Sequence, residues 1–163
     1  FQNGPVHYPY PVIRMAEMYL NLAEILIELD ALENTTGRLE EAKGLIDKIR
    51  VRAGIPTIDE AWKKANHPEK ANTAEGLREI VRRERQIEFY LENQRFWDLR
   101  RWKDAGILGE KVWGMNIEGD TDETFFVPTE LQNIRTFKQA QYLMPIPMTE
   151  TNKVPHIVQN PGY

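Results

Sequence analysis

Glu84 and Glu88 stand four residues apart in a run that also holds Arg82, Arg83, Arg85, Arg95, Arg100 and Arg101, with Glu92 and Asp98 among them. Two acids at helical spacing can act as general acid and base. In so dense an arginine field their pKa values are expected to fall, the opposite of what a proton donor near neutrality needs. Glu84 also lies between Ile80 and Ile87 on an apolar stripe, where an ionised carboxylate is costly unless a guanidinium meets it. The reading is structural: Glu84, Arg85, Glu88, Arg95, Asp98 and Arg101 form a polar network that sets how a helical hairpin folds back. No catalytic residue is assigned, and the chain is read as non-enzymatic.

The other reactive side chains point the same way. The chain has neither serine nor cysteine, which removes the common acyl-transfer nucleophiles. His7, His67 and His156 have no zinc-ligand spacing, and Glu118, Asp120, Asp122 and Glu123 lack the closing Glu of a calcium loop, so no metal is expected. No glycine-rich phosphate cradle follows a strand, and no cofactor is expected. A net charge of -4 argues against nucleic acid as a partner. Aromatic rings are then the remaining ligand chemistry, because the CH faces of sugars stack on exposed rings. Trp62 and Trp113 lie outside any helical stripe and are the candidate ligand contacts, although a tryptophan that pins its loop to the body has the same signature. Phe96, Trp97 and Trp102 fall on a short helix and are expected in the core; Phe125, Phe126 and Phe137 can serve as anchors.

These groups need a frame, and proline placement divides it. Pro5, Pro9 and Pro11 crowd the start and five more follow from Pro128, so helices belong between. From Val12 to Leu32 a narrow polar stripe of Arg14, Glu17, Asn21, Glu24 and Glu28 runs through an otherwise apolar pattern, which predicts a largely buried helix. Leu39, Ala42, Ile46, Ile49 and Ala53 predict a second, stopped by Gly54 and Pro56. The turn at 34–37 makes these an antiparallel hairpin over 12–56. A loop is expected over 57–71 and a second hairpin over 72–106. Its first helix begins near Asn72, carries Leu77, Ile80, Val81, Ile87 and Leu91 toward the core, and ends near Asn93; its second closes at Gly106. Residues 107–163 show no sustained period and read as an irregular tail, with 142–147 extended. The fold class is therefore mainly α. No run reaches the roughly 20 apolar residues of a membrane-spanning helix. A start at Phe1 suggests a mature form or a piece of a longer protein.

Gly37, Ala42, Ile46, Ile49 and the Gly54–Pro56 stop copy the second half of a tetratricopeptide-type repeat. Five blocks are more specific in combination: IRMAEMYLNLAEIL, EEAKGLIDKIRVRAGIP, LREIVRRERQIEFYLENQRFWDLRRW, YLMPIP and QNPGY. In order and spacing they resemble the C-terminal part of SusD/RagB-type proteins, outer-membrane lipoproteins that capture glycans. The resemblance implies a tetratricopeptide-like scaffold and a position at the exterior face of the outer membrane. It also implies an oligosaccharide ligand, a SusC-like TonB-dependent transporter as partner, and attachment by a lipid anchor in an N-terminal part not present here. A peptide-gripping tetratricopeptide-like adaptor is the alternative, though two hairpins are few for such an array.

Overall fold

Ala16, Leu20, Ala23, Ile27 and Asp30 recur at steps of four and three, and in the computed structural model of the chain all five are buried along one side of helix α1, Met15–Glu33. The structure describes residues 12–131, 135–154 and 156–163. Pro5, Pro9, Pro11 and His7 lie outside them. The chain divides into two units between Glu92 and Asn93, inside the stretch expected as the second hairpin.

In the first unit, Asn34 takes a left-handed φ of 53° and ends α1. Asp30 is fully buried beneath that turn: its carboxylate accepts from the Thr35 hydroxyl at 2.7 Å, the Arg38 backbone N–H at 2.7 Å and the Arg38 guanidinium at 2.9 Å. α2, Leu39–Arg52, packs back along α1 and buries Leu39, Ala42, Leu45, Ile46 and Ile49. It ends as the sequence signals. Gly54 has φ +72°, its N–H donates to the Val51 carbonyl, and the Ile55 N–H reaches the Arg50 carbonyl, both at 3.0 Å. These two bonds make a Schellman motif.

The expected loop over 57–71 is instead mostly helical. α3 spans Ile58–Lys64, with a capping box from Thr57 and Glu60, and a 3-10 turn spans Pro68–Asn72. The sequence carries the box, Thr57 with Glu60 three residues on, but a seven-residue helix is too short to show a period. α4, Ala74–Glu88, is capped by Thr73, whose hydroxyl accepts from the Gly76 N–H at 3.1 Å. A Cβ at Gly76 would lie 2.1 Å from the Lys70 carbonyl oxygen, so glycine there lets the 3-10 turn pack on the helix. Leu77, Ile80 and Val81 join the core, whereas Ile87 and Leu91 are exposed and Phe89 is the buried ring beyond the helix end. The helix stops at Glu88, ahead of Asn93, because the chain turns through Leu91 at φ 67°.

α1 also departs from expectation. It buries one seam only, and Met15, Met18, Leu22, Ile25, Leu29 and Leu32 are exposed. The polar stripe lies between the two apolar faces and meets the cations of α4: Arg78 forks onto Glu28 at 2.6 and 2.7 Å, and Arg85 donates to Asn21 at 2.6 Å.

The second unit is built of short pieces. α5, Gln94–Arg101, follows Asn93 at φ 62°. It is closed by Lys103 at φ 62°, with the Asp104 N–H on the Leu99 carbonyl, so Gly106 is not the stop and falls within a 3-10 turn, Ala105–Gly109. Strands β1, Trp113–Met115, and β2, Pro128–Glu130, pair antiparallel with Trp113 opposite Glu130 and Met115 opposite Pro128. α6, Asp122–Phe125, lies between them, and α7, Met148–Lys153, near the end.

Candidate functional site

Trp62 sits on α3 and is half-buried, with its ring packed against the first unit's core. Lys70 Nζ stands 4.9 Å from the ring centroid, a cation–π contact. The ring also lines a pocket of about 210 Å³ with Ala61, Ala65, Ile80, Arg83, Arg50 and Glu84. That is below the roughly 300–1,000 Å³ of drug-sized sites and suits a single ring or the end of a chain. The Arg83 guanidinium has a side-chain amide as its neighbour, Gln86 Oε1 at 3.3 Å.

The acids beside this pocket are held by cations from outside their own helix. Glu84 is paired with Arg50 of α2, both nearly buried, and Arg50 also donates to the Pro56 carbonyl at 2.7 Å. Glu88 accepts from Arg14 at 2.7 Å and from Arg52 at 2.7 Å on each oxygen, and Arg14 forks on to Glu92. Burial alone would raise the Glu88 pKa, but hydrogen bonds from Arg52 and Arg14 outweigh it and hold the carboxyl below its ordinary value. A carboxylate so held stays ionised and accepts hydrogen bonds; it has no proton to give near neutrality. On the same helix, Arg85 is buried between Glu24, at 3.9 Å, and the Phe89 ring.

The sequence had located the acids of this network but matched them with Arg85, Arg95 and Arg101. Arg14, Arg50 and Arg52 were missed, since only tertiary packing brings them to these acids: Arg50 and Arg52 of α2 lie 34 and 36 residues from their partners on α4, and Arg14 lies 74 residues from Glu88. The Glu84–Glu88 spacing carried part of the signal, because it aims both acids at one neighbouring helix. Arg95, Asp98 and Arg101 lie in the second unit. There Arg101 donates to the buried Asp98 at 2.9 Å, and both arginines lie over the Trp102 ring. Asp98 and Leu99 are the buried side of α5. Phe96 and Trp97, expected in the core, are 38% and 56% exposed and meet edge to face, with Arg100 against Phe96.

Trp113 lies on β1 and is 61% exposed, on the same strand face as Met115. Gly114 between them lies under Leu131, whose side chain would be 3.1 Å from a Cβ there. Trp62 and Trp113 thus belong to different units. Phe125 and Phe126 meet edge to face at 5.2 Å, and Phe137 meets Tyr142 at 4.9 Å.

The YLMPIP and QNPGY blocks are brought together. The Gln159 side chain accepts from the Ile146 N–H and donates to the Ile146 carbonyl, both at 2.8 Å; Asn160 donates to Met144 O at 2.6 Å and Tyr163 to Leu143 O at 3.1 Å. Pro145 and Pro147 lack the N–H groups a strand partner would need, and side chains take the place of a ladder.

Among the described residues no helix is long and apolar enough to cross a membrane, and no three His, Asp or Glu side chains gather as metal ligands.

Comparison with known proteins gives one family. The model of the SusD family matches residues 2–163. "SusD-like protein P2" of Formosa agariphila is 30% identical over 161 residues, covering 94% of this chain and 26% of that protein. Among solved structures, a SusD-like protein from Bacteroides fragilis superposes with a TM-score of 0.72 at 36% identity, over 96% of this chain and 28% of that one. A SusD-like carbohydrate binding protein from the same organism gives 0.62 at 31%, over 89% and 28%. The chain therefore spans about a quarter of the length of these relatives. Its helical fold is theirs, and with the family model matched almost end to end, the chain belongs to the SusD family.

Proposed function

We propose that this chain is the scaffold-bearing part of a glycan-binding surface lipoprotein that captures oligosaccharide at the outer membrane for a SusC-like TonB-dependent transporter. The reading places it outside enzymes: Glu84, the acid that lines the pocket, is ion-paired with Arg50. The observation that carries the glycan assignment is the fold and sequence likeness, over 89% of the chain, to a protein described as SusD-like and carbohydrate binding. Trp62 is the proposed stacking ring in the pocket, and Trp113 the proposed exposed ring on the hairpin; each offers the flat face that a pyranose uses. The lipid anchor and the transporter contact would belong to the longer polypeptide.

Titration of the chain with neutral and acidic oligosaccharides, followed by tryptophan fluorescence and calorimetry, tests the reading. Saturable binding weakened about tenfold by Trp62→Ala or Trp113→Ala, a loss near the 1.4 kcal/mol of one stacked ring, is expected. No reducing sugar should be released during the titration. Binding to peptide arrays with none to glycans would favour the adaptor reading, and sugar turnover would place the protein among enzymes.

A further inference from the structure

α4 carries four arginines, and they are not employed alike. Arg78 forks onto Glu28 at 2.6 and 2.7 Å, and Arg85 is buried against Asn21 and Glu24. Arg83 is exposed, and no carboxylate among the described residues meets it. Its neighbours along the helix explain why. Glu79, one turn before it, is paired with Lys70; Glu84, next to it, is paired with Arg50; and one turn after it stand Gln86 and Ile87. The hydrogen bond it makes runs from Nη1 to Gln86 Oε1. The Nε–Nη2 edge of the guanidinium therefore has no acceptor among the described residues. From such an edge two parallel N–H groups can hold a carboxylate or a sulfate.

This guanidinium shares the pocket of about 210 Å³ with the Trp62 ring. Ala61, Trp62 and Ala65 come from α3 and its end, and Ile80 and Arg83 stand one turn apart on α4. Arg50 and Glu84 complete the lining and cancel each other's charge, both nearly buried. What remains is an apolar wall and, among the lining residues, one cation without an acid. A wholly apolar ligand would strip water from Arg83 and return nothing. A pyranose with a negative group complements both parts, its CH face on the indole and its anion on the guanidinium. The net charge of the chain is -4, so attraction at long range does not favour an anion, and selectivity has to come from this local contact.

We propose that the Trp62 pocket selects acidic sugars: it takes one pyranose ring bearing an anionic substituent, a uronate carboxylate or a sulfate ester, and Arg83 is the residue that sets this specificity. The proposal rests on the glycan-binding reading above and names its ligand class. A neutral pyranose stacks on the same ring but gains nothing from Arg83. A forked ion pair at a half-open site is worth about a fivefold preference for the acidic ring.

The chain has four tryptophans, and Trp62→Phe identifies which indole N–H signal in the NMR spectrum reports this pocket. Methyl glucuronoside, methyl glucoside and methyl glucoside 6-sulfate, single rings that need no linkage to match, are titrated against the 163-residue chain while these signals are followed. The expected result is saturable movement of the Trp62 signal, with an anionic probe binding about fivefold tighter than the glucoside. The tighter of the two anionic probes names the source of the charge. Arg83→Gln should bring both down to the glucoside's affinity, and Arg83→Lys should keep part of the preference. Lys48→Gln, which removes the same charge from an exposed position on α2, should leave all three affinities unchanged. Arg83 is exposed and holds Gln86, so its variants should melt with the parent chain. Equal affinity for the three probes, or a preference that survives Arg83→Gln, overturns this proposal and leaves glycan binding in place. Movement confined to the other indole signals overturns it by putting the sugar elsewhere. No saturable movement with any probe overturns it too, and the oligosaccharide titration above then decides the glycan reading separately.

Discussion

The two units hold their backbones by different means. Up to Glu92, apolar seams from α1, α2, α3 and α4 converge on one cluster that includes Leu20, Ile27, Ile46, Ile58, Leu77 and Val81, and guanidinium–carboxylate forks brace it from outside. After Asn93 the buried apolar residues among those described are Leu99 and Ala105, and side-chain-to-backbone bonds do much of the positioning. Burial is cooperative, so the first unit should fail as a whole; local bonds are separable, so the second should loosen piece by piece.

The sharpest way to break that contrast is to empty the first core. Leu20 is fully buried, and Leu20→Ala is expected to cost about 2–5 kcal/mol and to lower the denaturation midpoint of the whole helical unit. A local loss confined to α1 would show that the cluster is not cooperative. Removing one brace comes next. Glu84→Gln leaves Arg50 without its carboxylate in a nearly buried place, and a loss of about 2–3 kcal/mol in urea melts is expected, less than for a fully dry pair.

Acidification tests the same braces together. Glu88 and Asp30 are both held below their ordinary carboxyl values: burial pulls each upward, and hydrogen bonds from Arg52 and Arg14, or from Thr35 and Arg38, more than reverse it. With folded pKa values depressed, the unfolded chain takes up protons first as pH falls. The stabilisation is complete above the ordinary value of 4.5 for Glu88 and 3.8 for Asp30, and drains away as pH drops through the lower folded values. Melting temperature against pH should therefore be flat near neutrality and fall in acid, and the Glu88→Gln chain should show a shallower fall. Smaller effects belong to the second unit. Gln159→Ala removes two bonds to Ile146, about 1 kcal/mol, and should speed hydrogen exchange around 143–160 while the first unit's melt stays put. Trp113→Ala, on an exposed ring, should change stability by less than about 0.5 kcal/mol, leaving any binding defect as its visible effect.

How far the sequence could be read follows the same division. Where period, stop signal and turn agreed, as from Leu39 to Pro56, the helix and its terminating motif were legible, although Ala53, expected on the core-facing stripe, is the exposed residue just past the helix end. Where a helix had two apolar faces, as α1 does, the pattern revealed its hydrophobicity without revealing which face its own unit covers. The ion-pair network was legible as a requirement, because Glu84 needed a cation, and illegible in its partners, because pairings such as Arg50–Glu84 depend on helix packing. α5 misled for a related reason: eight residues are too few for a period, and its aromatics were assigned inward while Asp98 and Leu99 took that side. The aromatic candidates Trp62 and Trp113 were found by their position outside stripes, and Arg83 and Ile80 joined Trp62 only once α3 was known to exist.

The amide of Gln159 has a consequence for the ageing of stored protein. It serves Ile146 as acceptor and donor at once, and hydrolysis to a glutamate would keep the first role and turn the second into repulsion between two oxygens. A one-dalton change at that position would unlatch the final stretch of chain, α7 included, while leaving the helices of the first unit untouched, so mass spectrometry on old preparations would flag the damage before any optical melt could.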